Sequence, residues 1–124
     1  MSIPTVERRI FIRDLRLQVS IGIYDFELAK PQAVVVNVDL MLEEPVRAAD
    51  DSIANVLNYD VIHDGIVELA RGRHFNLQET LVDAILDLCM AQSEVREARV
   101  STEKPDVYGD CRVGYEAVRR RAGR

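Results

Sequence analysis

The sequence predicts an α+β fold, ββααββ in chain order: a four-stranded antiparallel sheet with two helices on one face. Three observations predict it. Two early segments alternate apolar and polar residues with period two. Two middle segments repeat apolar residues at helical spacing. Two late segments alternate again. A chain of 124 residues is one domain, residues 1–124, by length.

The first strand is read over residues 10–21, where Leu15, Leu17, Val19 and Ile21 alternate with Arg16, Gln18 and Ser20. Gly22 follows, and a polar loop is expected from Tyr24 to Pro31. The second strand covers residues 33–42, with Val34, Val36, Val38, Leu40 and Leu42 on one face and Asn37 and Asp39 on the other. From Tyr59 to Ala70 the period changes: Ile62, Ile66 and Leu69 mark a helix, with Asn58 as its N-cap and Gly72 as its stop. A second helix is expected after Asn76, where Leu77, Leu81, Ile85 and Leu88 form one apolar stripe that fades near Gln92. Ala98, Val100 and Thr102 then mark the third strand, and Val113, Tyr115 and Ala117 the fourth. The run Arg119-Arg120-Arg121 reads as a solvated end.

Composition narrows the function. The chain is 48% hydrophobic and 30% charged, which suits a packed domain. About two-thirds of the unfolded surface of such a chain is buried on folding, so a core needs neither disulfide nor metal. A net charge of −5 argues against nucleic acid as the partner. No run approaches the roughly 20 apolar residues of a membrane span. The opening MSIPTVERR lacks an apolar signal core, and cytoplasmic residence is expected. Cys89 and Cys111 show no metal-ligand spacing and are expected to be buried and reduced. His63 and His74 have no paired ligands nearby, and no nucleotide or metalloprotease motif is present, so no metal or cofactor is expected.

The second face of the sheet would carry Arg16, Gln18, Asn37, Asp39, Arg99, Glu103, Arg112 and Glu116. It is wet, and the sheet has two edges to protect. Closing identical sheets edge to edge into a ring removes those edges and leaves a polar lumen. A monomer with a solvent-facing sheet is the alternative, and the pattern alone does not choose.

Four residues could carry chemistry. Glu27 follows the first strand, with Gln32 five residues on; a loop glutamate is ordinarily a solvated charge. Tyr59 opens the first helix and could be an aromatic ledge with a phenol that trades a proton. Asn76 and Glu79 have capping-box spacing, yet a carboxylate at a helix start can also grip two parallel N–H donors. Lys104, one of only two lysines beside 14 arginines, precedes Pro105 at a strand end.

Alone, none of these is specific. Together, IGIYDFELAKPQ, LNYDVIHD, FNLQETL and EKPDV resemble the dihydroneopterin aldolase family over roughly residues 9–119. The resemblance implies the tunnelling fold, in which ββααββ subunits ring up into a barrel, often as octamers, with sites between neighbouring subunits. It implies cleavage of dihydroneopterin to hydroxymethyl-dihydropterin and glycolaldehyde, a step in folate biosynthesis, without metal or Schiff base. By motif, Glu27 falls on the loop glutamate near the reacting centre and Tyr59 on the tyrosine lent by the adjacent subunit. Glu79 falls on the carboxylate that anchors the pterin, and Lys104 on the catalytic lysine. The residue before the anchor is usually aliphatic and contributes its backbone; here it is Gln78.

The implied chemistry is coherent. A retro-aldol cleavage needs an electron sink, and the dihydropterin ring already holds a C=N bond beside its side chain. The protein then needs only orientation and proton handling. Two alternatives share the pattern: a dihydroneopterin (triphosphate) epimerase acting on the same side chain, and a ring-forming pterin-binding protein without catalysis.

Overall fold

The computed structural model describes residues 3–43 and 51–122. It contains strands β1 (Arg9–Val19), β2 (Gln32–Leu42), β3 (Val95–Lys104) and β4 (Val113–Arg120), and helices α1 (Asp25–Ala29), α2 (Asp60–Gly72) and α3 (Gln78–Met90). A single 3-10 turn, Ile53–Asn55, precedes α2. The strands form one antiparallel sheet in the order β1-β2-β3-β4. The α+β class and the ββααββ order of the main elements stand as expected.

The core lies between the sheet and the two long helices. Val34, Val36, Val38, Leu40 and Leu42 of β2 point into it, as their alternation requires. Ile62, Ile66 and Ala70 come from α2; Leu81, Val82, Ile85, Leu86 and Cys89 come from α3. Each large aliphatic side chain buried this way contributes about 1.5–3 kcal/mol. At Gly65 the helices approach so closely that the Leu88 side chain occupies the space a larger residue would need.

The polar face also stands as expected. Asp39 accepts from Arg9 at 2.8 Å and from Arg13 at 3.4 Å, and Arg99 donates to Glu116 at 3.1 Å.

Six local expectations need correction. The first strand is not continuous to residue 21. Its inward residues change parity from Ile10 and Ile12 to Leu15 and Leu17, and a bulge takes up the extra residue. Asp14 sits there at φ 58, its N–H donating to Asn37 Oδ1 at 2.8 Å. The stretch from Tyr24 to Pro31 is not all loop, because Asp25–Ala29 form α1. Asn58 does accept from the Asp60 N–H, at 3.0 Å, but Tyr59 occupies the N-cap position. The Asn76–Glu79 capping box does not form. Helix α3 starts one residue later than the spacing implied, with Leu77 at its N-cap, so Glu79 is its second residue and points outward. Cys89 is buried, and burial pushes its thiol up to about 12, but Cys111 is exposed in the loop before β4.

Finally, the arginine run is not a free end. Arg119 pairs with Asp87 at 2.5 Å and Arg120 with Glu97 at 2.7 Å. Arg121 donates to the carbonyls of Met90, Gln92 and Val95 at 2.6–2.9 Å, satisfying the C-terminal end of α3.

Candidate active site

The site begins where β1 ends. Phe75 N–H donates to Ser20 O and Gly22 N–H to Phe75 O, both at 2.9 Å, tying the end of β1 to the segment before α3. His74 braces the same turn, with Nε2 2.8 Å from Gly22 O and Nδ1 2.6 Å from Ser20 Oγ. A carbonyl can only accept, so Nε2 carries a proton, and in the neutral ring Nδ1 accepts from the Ser20 hydroxyl. Gly22 adopts φ +120, and a Cβ there would collide with the Glu27 carboxylate. Glycine at this position therefore supplies both the backbone angle and the space.

Helix α1 then turns Glu27 back over Gly22, leaving it only 3% exposed. A buried carboxylate must be paired. Glu27 Oε2 accepts from Lys104 Nζ at 2.9 Å and from Gln32 Nε2 at 2.8 Å, and Oε1 accepts from Tyr24 N–H at 3.4 Å. Gln32 also donates to Ile21 O at 2.9 Å, so its amide is held from two sides. Burial pushes the Glu27 carboxyl upward. The hydrogen bonds from Lys104 and Gln32, the Lys104 charge and the Tyr24 amide outweigh it and hold the group below its ordinary 4.5. Glu27 is thus a fixed carboxylate at neutral pH.

Lys104 is the last residue of β3, and its side chain is 14% exposed. Pro105 ends the ladder, which points the lysine across the sheet end toward α1. Glu27 and Lys104 share the wall of a cavity of about 430 Å³ with Tyr24, Gln78 and Tyr108. Gln78 opens α3, and its Oε1 accepts from the buried Thr102 hydroxyl at 2.8 Å.

The two remaining candidates lie outside this cavity wall. Glu79 is exposed beside Gln78, with no side-chain hydrogen bond among the described residues. Tyr59, 57% exposed, lines a separate cavity of about 410 Å³ with Phe11, Ile12 and His63, alongside the edge strand β1. The fold therefore joins Glu27, Gln32, Lys104 and Gln78, sets Glu79 next door, and leaves Tyr59 apart. Sequence reasoning missed His74 as the brace under Gly22, Thr102 as the partner of Gln78, and Tyr24 and Tyr108 as walls. Only contacts across the fold distinguish these residues, and spacing carries no sign of them. No three His, Cys, Asp or Glu side chains cluster as metal ligands would among the described residues.

These features define a small α+β protein with a buried carboxylate–lysine pair at one end of its sheet. The dihydroneopterin aldolase family model matches residues 10–118, and the chain belongs to that family. It is 31% identical over 98 residues to the dihydroneopterin aldolase of Streptomyces coelicolor, covering 79% of this chain and 82% of that one. It is 34% identical over 97 residues to the dihydroneopterin triphosphate 2'-epimerase of Pseudomonas aeruginosa, covering 78% and 79%. Among solved structures, Burkholderia thailandensis dihydroneopterin aldolase bound to guanine superposes with a TM-score of 0.82 at 38% identity, covering 93% of this chain and 92% of that one. Escherichia coli dihydroneopterin aldolase in complex with neopterin superposes with a TM-score of 0.83 at 26% identity, covering 90% and 98%.

Proposed function

We propose that this protein is a dihydroneopterin aldolase, cleaving dihydroneopterin to hydroxymethyl-dihydropterin and glycolaldehyde. The observation that carries the reading is the Glu27–Lys104 pair at 2.9 Å, buried at the wall of an open cavity. Two ionisable groups held together beside a cavity can hand protons to and from a bound molecule.

In the proposed step a side-chain hydroxyl loses its proton and the adjacent C–C bond breaks. The electron pair moves into the ring imine, which is protonated, and glycolaldehyde leaves. The remaining carbon then takes up a proton as the ring nitrogen gives one up, which restores the imine, so atoms and charge balance without an external reductant or cofactor. Lys104 and Glu27 manage protons at the side chain, in part through water. Glu79 grips the amino and ring N–H edge of the pterin, and its lack of a side-chain hydrogen bond among the described residues suits that task. Tyr59 covers the ring and handles a proton on the enol-type intermediate. The lysine works by proton transfer, with neither metal nor Schiff base.

The site is shared between subunits. Tyr59 stands beside edge strand β1, while the Glu27–Lys104 cavity reaches Val113 at the start of edge strand β4. In the proposed assembly β1 of one subunit pairs with β4 of the next, with the stagger a barrel requires, into rings that stack as an octamer. This removes the open edges and turns the polar face into a lumen. The substrate is a pterin, and neither nucleic acid nor membrane is a partner; no helix among the described residues is long and apolar enough to cross a membrane. We place the protein in the cytoplasm.

The 34% identity to an epimerase favours one second reading, inversion at the same side chain. Product analysis with dihydroneopterin separates the two. Glycolaldehyde as a major product supports cleavage; an epimer without aldehyde assigns the chain to epimerisation instead.

A further inference from the structure

Gln78 stands where the family resemblance implies an aliphatic residue. An aliphatic residue there would offer only its backbone, whereas this chain places a carboxamide on the cavity wall beside Glu27 and Lys104. The carboxamide is oriented. Thr102 is fully buried on the inner face of β3, and its hydroxyl donates to Gln78 Oε1 at 2.8 Å. With the oxygen engaged, the Gln78 amide nitrogen faces away from Thr102. Its two N–H groups have no partner among the described residues. The side chain is part-buried and lines the cavity, so those donors are open to a molecule bound there.

We infer that the Gln78 side chain is a specificity-determining contact, donating to a hydroxyl oxygen on the side chain of the bound pterin, with Thr102 as its positioning residue. This rests on the aldolase reading and deepens it. The location decides which part of the ligand is met. Gln78 shares its cavity with Glu27 and Lys104, the groups assigned to the cleaving side chain. Glu79, assigned to the ring edge, is not part of that wall. A donor on the reacting side meets a hydroxylated substituent, and a ligand consisting of the bicyclic ring alone does not reach it.

The test is calorimetric binding of two ligands, neopterin with its hydroxylated side chain and guanine without one, to wild type, Gln78→Leu, Thr102→Val and Thr102→Ser. One neutral hydrogen bond is worth about a 3–10-fold change in Kd. Gln78→Leu should weaken neopterin by that factor and leave guanine unchanged, so guanine affinity doubles as the folding control. Thr102→Val should show a smaller loss for neopterin alone, and Thr102→Ser, which keeps the hydroxyl, should restore it. A merely structural role for Thr102 would shift both ligands together. If wild type binds both ligands and Gln78→Leu loses neither, or loses both equally, the aldolase reading stands and this assignment is overturned. If wild type binds neither ligand, the aldolase reading fails and this assignment goes with it.

Discussion

At the scale of the residue, Lys104 and Glu27 are coupled, and each variant reads a different part of the coupling. Lys104→Ala should lower turnover about 10²–10⁴-fold, the span of a positioned acid or base. Pterin affinity should fall less than turnover, because in the proposed site Glu79 holds the ring. Lys104→Arg keeps the charge but does not readily release a proton, so steady-state kinetics across pH should show little rescue; near-wild-type turnover would reduce the lysine to an electrostatic post. Glu27 contributes an acid-sensitive share of stability. Its folded value lies below the unfolded one, so its contribution is present above the unfolded value, near 4.5, and is lost as pH falls through the folded value. Thermal melts from pH 7 downward should show that loss in wild type. In Glu27→Gln the decline should be shallower by the Glu27 share, with stability at pH 7 lower by about 1–3 kcal/mol because Lys104 has lost its charged partner. Glu79→Ala separates binding from folding. The carboxylate makes no capping hydrogen bond and contributes at most about 1 kcal/mol through its place in the first turn of α3, so melting should shift only slightly while pterin affinity falls by about 2–5 kcal/mol. Wild-type affinity in a folded variant would remove Glu79 from the site.

At the scale of the element, Gly22 and α1 act as one device. Gly22→Ala forces an L residue to φ +120 and drives a methyl into the Glu27 carboxylate. The backbone strain costs about 1–3 kcal/mol, and the displaced carboxylate should cost activity beyond what the melt explains; a variant with full turnover would show that Glu27 need not sit over Gly22. This device was half legible in the sequence. Gly22, Glu27, Gln32 and Lys104 could be picked out by their order, but α1 could not. Five residues are too few to be helical by propensity, and α1 stands because Glu27 is held at its centre by partners from β2 and β3. β2 was legible throughout because its alternation is unbroken. The β1 bulge is not legible in the same way: the alternation of Leu15, Leu17, Val19 and Ile21 is regular by itself, and the change of parity from Ile12 to Leu15 becomes a bulge only against the register of β2. The capping-box spacing at Asn76 misled because the segment is already fixed by the Phe75 and His74 contacts to the end of β1, which delay the helix by one residue. The arginine run looked like a solvated tail because charge patterning carries no information about which carbonyls lie across the fold.

At the scale of the whole molecule, the account depends on the two sheet edges. β1 and β4 each present backbone donors and acceptors with no neighbour in the sheet, and Phe11 and Val118 are exposed there. Sedimentation should find a stable oligomer, most simply eight subunits; a monomer at working concentration would rule out the proposed shared site. The most direct measurement of the central claim is activity in mixed assemblies. Tyr59→Ala and Lys104→Ala proteins should each be nearly inactive alone. Co-expressed and co-assembled in equal amounts, about one-quarter of interfaces join an intact Tyr59 from one subunit to an intact Lys104 from its neighbour. The account predicts that activity returns in the mixture to about that fraction of wild type. Mixed oligomers no more active than their parents would place Tyr59 and Lys104 in separate tasks or within one chain, and would contradict it.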